Sequence, residues 1–235
     1  VYTAAATDPE SDAITYALSG TDSAAFSINS STGDVTLNAS ADYETLIKWW
    51  DKYASKRPLF IGEDVERTVK FADTKNPNIN QMPAKYALHR QMHHVNGTVL
   101  WYAKAVVDNV GNYGEALRAN YWKTPALQPL MPFIDHKAPK KPKKVKDVWT
   151  SDGYMLFWQK PKAKRWNDEV TKFVVYRFAN HEAVNLNDAT KIIAITTDSY
   201  IKLPYDNGNV RYQYVVTALD RMSNESKGKK VKVKL

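Results

Sequence analysis

The residues NGTVLWYAKAVVDN, 96–109, restrict the fold more than any other stretch of this chain. An Asn-Gly turn signal opens an unbroken apolar and β-branched run over 98–103. Such a run reads as a strand buried on both faces, as in a parallel sheet with helices above and below; a buried helix turn is the competing reading. A second run, PLFIG at 58–62, lies upstream, and between the two Ala84, Ala87, Leu88 and Met92 fall along one helix face. Helical segments over 45–55 and 113–121 flank the pair. The order across 45–121 is therefore helix, strand, helix, strand, helix, the rhythm of a (β/α) barrel.

The text RPLFIGEDVERTV at 57–69, NPNINQMPAKYALHRQ at 76–91, and the run from Val95 to Asp135 together resemble the final two strand-helix units of glycoside-hydrolase-like barrel proteins of bacterial cell envelopes. The resemblance is dense over 57–135, and it implies a barrel whose earlier strands lie outside this text. A barrel site forms at the carboxyl ends of its strands. Beyond the first run stand Glu63, Asp64 and Arg67; beyond the second stand Lys104 and Asp108, with Trp101 and Tyr102 near the strand's end. Glycosidases generally use two carboxyl groups across the scissile bond. Glu63 and Asp64 are the candidate catalytic acids, but as sequence neighbours they point apart, and the missing partner is expected from an earlier strand. Trp101 and Tyr102 are the candidate platform for a sugar ring and Lys104 a further substrate contact. A capped loop for the acids and core packing for the aromatics are the plainer alternatives.

The chain changes character near Thr45. Residues 1–47 hold no Lys or Arg and seven carboxylates, so that of the net +8 about +15 sits in the remainder, together with every tryptophan. Short alternating runs at 14–18, 25–28 and 35–37, with a Ser-Thr-Gly-Asp turn at 31–34, read as β. ATDPESDAITYALSG, FSINSSTGDVTL and ADYE resemble the middle of a bacterial cadherin-like repeat. The resemblance implies calcium held by Asp8, Glu10 and Asp12 in an acidic turn and by Asp42 and Glu44 of the DYE motif, hard oxygen ligands that suit this ion; an ordinary solvated acidic loop is the alternative. The repeat is partial, because a helix at Leu46 replaces the strands that would complete the sandwich. A half-sandwich running into the end of a barrel is the text expected of a fused or shortened chain.

Lysine and proline alternate through KAPKKPKKVK at 137–146, which reads as a stiff linker; a contact with an anionic polymer is the functional alternative. Strand patterns follow at 153–159, 172–178, 191–196 and 210–220, with a last strand at 227–234. GYMLFWQ and YQYVVTALDRMSNES resemble a fibronectin type III domain, with Trp158 as its early core tryptophan and Tyr212 as its corner tyrosine. The core is expected to contain Trp158, Val175, Tyr212 and Val216.

The expected fold is thus multidomain: a partial β-sandwich over 1–44, a partial (β/α) barrel segment over 45–136, the linker, and a fibronectin type III-like β-sandwich over 147–235. Zero cysteines exclude disulfides and thiolate metal sites. His89 and His93, four apart, lack a third metal ligand at recognisable spacing. No Gly-rich phosphate loop, nucleophile elbow or nucleic-acid-reading motif occurs, and no run approaches a membrane span. The text opens at Val1 with neither a basic leader nor an apolar signal region, as expected of a mature or a trimmed chain. Two functions remain. One is the C-terminal portion of an exported glycoside-hydrolase-like protein acting on a polysaccharide or peptidoglycan glycan, with no required cofactor. The other is a non-catalytic carbohydrate-binding or cell-surface adhesion protein.

Overall fold

The computed structural model describes residues 2–21, 23–37, 42–54, 57–70 and 80–235. Two compact units divide the chain between Trp50 and Asp51. The first holds one antiparallel sheet, β1 (Tyr2–Thr3), β2 (Phe26–Ile28) and β3 (Asp34–Leu37), in the order β1-β3-β2. The run at 14–18, expected as a strand, joins no ladder; Tyr16 makes a single backbone bond, from its N–H to the Ser30 carbonyl. A helix, α1 (Tyr43–Tyr53), begins in this unit, and the Asp42 carboxylate accepts the Thr45 N–H at 2.7 Å. That contact satisfies one of the four free amides of the first turn.

The second unit opens with a parallel pair, β4 (Leu59–Asp64) and β5 (Val95–Trp101). Between them lie α2 (Val65–Lys70) and α3 (Met82–Gln91), and after them α4 (Ala103–Val107) and α5 (Tyr113–Ala116), which runs on as a π-helical turn over Leu117–Tyr121. Strand, helix, strand, helix is the expected order. Two strands close no barrel, and among the described residues no further strand joins them.

The pair is covered on one face only. Register sets Ile61 beside Thr98 and Glu63 beside Leu100, and Ile61 and Glu63 are buried; Phe60, Val99 and Trp101, of the opposite parity, are exposed. The expectation of a strand buried on both faces is corrected accordingly: β5 alternates, because helices supply a layer on a single side. The face of α3 differs too. Met82, Tyr86 and His89 are buried, whereas Ala84 and Ala87 are exposed. Hydropathy selects the alanines, but the underlying strand face presents Glu63, and a buried carboxylate requires polar partners rather than methyl groups. Val65, Met82, Tyr86, Ala105, Tyr113 and Leu117 form the core of this layer.

A β-sandwich follows. One sheet has the order β10-β7-β6, from β6 (Lys143–Thr150), β7 (Gly153–Gln159) and β10 (Tyr200–Lys202). The other has the order β12-β11-β8-β9, from β8 (Lys172–Ala179), β9 (Ile192–Thr196), β11 (Arg211–Leu219) and β12 (Lys229–Lys234). Three strands facing four in this antiparallel order make a fibronectin type III-like sandwich. Leu156, Trp158, Phe173, Val175, Tyr214 and Val216 fill it, with the Trp158 and Phe173 rings edge to face at 5.5 Å. Tyr214 is the fully buried tyrosine of β11, while Tyr212 is half-buried with the Arg177 guanidinium 5.0 Å from its ring; no backbone bond of its hydroxyl occurs among the described residues.

The lysine-proline stretch is not a free linker. Strand β6 starts inside it, at Lys143, and Pro139, Pro142 and Val145 are buried. Upstream, Leu127 packs on the outer face of the four-stranded sheet beside a cluster that includes Tyr176 and Phe178. The Asp135 carboxylate accepts from Arg165 at 3.3 Å and from the Lys137 N–H at 3.1 Å, and the Asp135 carbonyl accepts from Asn224 Nδ2. These bonds hold the Asp135 carboxyl below its usual range, the Lys137 amide first and Arg165 next, against the opposing effect of burial.

Candidate functional site

The carboxyl ends of β4 and β5 bring together Asp64, Trp101, Tyr102 and Lys104. Parallel pairing sets Asp64 beside Trp101 on the uncovered face. Trp101 is 68% exposed and Tyr102 41%, and a cis peptide joins them, with their rings 6.4 Å apart. The Tyr102 hydroxyl reaches the Glu66 carboxylate at 3.4 Å, so α2 holds the ring from behind. Phe60 and Val99 continue the apolar surface along the sheet. A Cβ on Gly97 would come within 2.8 Å of the Phe60 ring, so only glycine lets that ring lie flat across the strand.

The two acids have separate fates. Asp64 caps α2: its Oδ1 accepts the Arg67 N–H at 2.9 Å, and its other oxygen lies 3.7 Å from the Arg67 guanidinium. Glu63, expected to line the site, is instead 1% exposed. Strand parity turns it towards the helices, where Lys85 Nζ donates to Oε2 at 2.7 Å and His89 Nε2 lies 3.3 Å from Oε1. Lys85 also donates to Thr68 Oγ1, and His89 Nδ1 lies 3.3 Å from Thr98 Oγ1. Nearby, Tyr86 and Tyr113 pair their hydroxyls at 3.3 Å, and burial raises both phenols above their ordinary range. Sequence reading missed this network. Its signal was present: Lys85 and His89 stand four apart on the helix that follows Glu63.

His89 thus belongs to a carboxylate network and not with His93, which lies beyond the end of α3. His93 and His94 donate their backbone N–H groups to the Asp51 carboxylate, at 3.2 and 2.6 Å, fixing the entry to β5. Lys104 pairs with Asp108 one turn on, and this partner raises the lysine's pKa. A groove of about 450 Å³ between Arg57, His93, His94 and Phe133 opens at the amino-terminal ends of the two strands, the end opposite the aromatic pair.

The acids of the first unit serve local structure. Asp8 Oδ1 accepts the N–H groups of Glu10 and Asp12, both at 3.0 Å, and closes the acidic turn on itself. Asp42 caps α1, which lowers its pKa chiefly through the Thr45 amide, and Glu44 pairs with Lys48 at 2.5 Å. Among the described residues no three His, Asp or Glu side chains converge as a metal ion would require. None of the described helices is long and apolar enough to cross a membrane.

No protein-family model matches the chain. It is 28% identical over 198 residues to Glycosyl hydrolase YngK of Bacillus subtilis (strain 168), an alignment that covers 83% of this chain. The chain spans 38% of the length of that protein. Solved structures with some likeness include the Clostridium perfringens spore cortex lytic enzyme SleM, at 11% identity, 41% of this chain, 28% of that one and a TM-score of 0.29. A Fn3-like protein from Clostridium thermocellum gives 20% identity, 41% of this chain, 92% of that one and a TM-score of 0.30. The glycoside hydrolase domain of Endo-D from Streptococcus pneumoniae R6 gives 14%, 43%, 16% and 0.29 in the same order. At the level of sequence, the chain is similar over most of its own length to part of a bacterial glycosyl hydrolase.

Proposed function

We propose that the chain is the carboxyl-terminal portion of an exported glycoside-hydrolase-like protein, and that β4, β5 and their helices are the closing strand-helix units of a (β/α) barrel acting on a cell-envelope glycan or another polysaccharide. The observation that carries this reading is the Trp101-Tyr102 pair, exposed at the carboxyl end of a parallel strand and braced by Glu66. Aromatic faces bind the apolar faces of sugar rings, and barrel enzymes assemble their sites at that end of the strands. The sequence similarity to a bacterial glycosyl hydrolase supports the same reading.

For this chain by itself, the non-catalytic reading has its own support. Glu63 is withdrawn into ion pairs and Asp64 is committed to a helix cap, which leaves no opposed pair of free carboxyl groups at this end of β4 among the described residues. The chain therefore binds glycan and does not cleave it. Titration of the chain with oligosaccharides from peptidoglycan and from neutral plant glycans, followed by tryptophan fluorescence, tests the binding; Trp101→Ala abolishes it while leaving the fold intact. Incubation with the same glycans releases no reducing ends. Release that is lost in Asp64→Asn overturns the assignment of the acids, and binding unaffected by Trp101→Ala overturns the aromatic site.

A further inference from the structure

Where the lysine-proline segment meets the start of the last strand, it forms a groove of about 640 Å³. Six lysines line it: Lys140, Lys141, Lys143 and Lys144 from one wall, Lys227 and Lys229 from the other. All six are exposed, none forms an ion pair among the described residues, and no carboxylate lines the groove. The acid next along β6, Asp147, is engaged by the Tyr154 hydroxyl. Like charges held together repel, so the fold works against electrostatics to build this site.

Three features fix the lysines in place. Pro139 and Pro142 are buried, so the first wall has a locked backbone. Lys144 adopts a φ of 48°, a conformation unfavourable for a residue with a side chain, at the register shift between Lys143 and Lys146 where β6 pairs with β7. Gly228 lies so close to Val215 that a Cβ would collide with it, which presses the backbone between Lys227 and Lys229 onto the sandwich.

We infer that this groove binds a linear polysaccharide bearing carboxylates on its sugar rings. The inference rests on the reading of the chain as glycan-binding and adds a second, charged surface to it. A concave site lined by one sign of charge concentrates the opposite sign. Every lining cation is a lysine, a hydrated point charge suited to carboxylates strung along a polymer, and no arginine fork is present to grip a phosphate in two places. No aromatic side chain lines the groove to stack a nucleic-acid base or to anchor in a lipid surface, whereas exposed Ala138 and the methylene stems of the lysines offer apolar surface to sugar rings.

The test uses the full chain and a polygalacturonate oligomer as probe, against a neutral glucan of matched length, single-stranded DNA and vesicles containing phosphatidylserine. Polygalacturonate binds at low salt about tenfold or more tightly than the neutral glucan, in the parent and in Trp101→Ala alike, and only its affinity falls as screening rises. Lys140→Glu with Lys143→Glu weakens binding about tenfold, and Lys162→Glu with Lys164→Glu, outside the groove, leaves it unchanged. Trp101→Ala also leaves it unchanged, so failure here is distinguishable from failure of the aromatic site. Carbodiimide coupling of the probe to the unmutated chain, with peptide mapping, serves if the charge-reversed variant does not fold: the adducts fall on the six lysines. Adducts elsewhere, equal loss in the control variant, or DNA or vesicles bound as tightly as polygalacturonate would overturn the inference.

Discussion

Glu63 Oε2 lies 2.7 Å from Lys85 Nζ, and the side chains are 1% and 14% exposed. A strand carboxylate and a helix ammonium, 22 residues apart, are thereby removed together from water. Removing one partner from such a pair strands the other, at a cost of about 3–5 kcal/mol, whereas replacing both with apolar groups is often neutral. Glu63→Ala is expected to destabilise the β4–β5 layer by roughly that amount, and Glu63→Leu with Lys85→Met by clearly less. Native-state hydrogen exchange of the β5 amides measures both.

Two tryptophans should separate binding from stability. Trp158 is 4% exposed at the centre of the sandwich, and Trp158→Ala is expected to cost about 3–5 kcal/mol. Trp101 is 68% exposed, so Trp101→Ala should stay within about 0.5 kcal/mol of the parent. Chemical denaturation monitored by circular dichroism reads the first, and the second shows itself only in glycan titrations.

Acid should loosen the seam at Asp135. Its carboxyl is held below the ordinary value of 3.8, so as pH falls the unfolded chain takes up this proton before the folded chain does. The contribution is complete above that ordinary value and is lost as pH drops through the lowered one. Asp168 is shifted the same way, first by its bond from Arg165. Asp135→Asn should therefore flatten the fall in stability below about pH 4. An unchanged acid profile in that variant, followed by exchange at the β11 amides, would count against the seam.

A fragment over 125–235 should be more stable than one over 138–235, since only the longer retains Leu127 against the outer sheet face and the Asp135 bonds. Both should unfold cooperatively, because the sandwich core draws on no residue upstream of Val145. A difference of about 4 °C or more in Tm corresponds to about 1 kcal/mol in a domain of this size, within what the half-buried Leu127 supplies.

The sandwich was the most legible part of the chain. Its long strands are nearly unbroken runs of apolar, β-branched and aromatic residues, and Trp158, Val175 and Val216 are core residues as expected. Strand β6 was hidden because its lysines dominate its composition, while the inward-facing Val145 is a single residue among them. The helix between the parallel strands was legible, but its buried face was not: hydropathy ranks alanine above lysine and histidine, and only the position of Glu63 reverses that order. Trp101 and Tyr102 were singled out as candidates by the rule that barrel sites lie at strand ends, and both are exposed at the end of β5. The fate of Glu63 was readable from parity with Ile61, a relation that the search for paired acids overlooked.

The Phe133 ring lies 5.0 Å beneath the Arg57 guanidinium, beside β4, and two residues later the Asp135 carbonyl is bonded to Asn224 of the sandwich. Two residues of extended chain span about 7 Å. A tether of roughly twenty residues would ordinarily let its two ends swing over tens of ångströms. Here a contact sits on either side of one short span, so the free length of the tether is set by the Arg57–Phe133 contact and the Asn224 bond and not by the count of its residues.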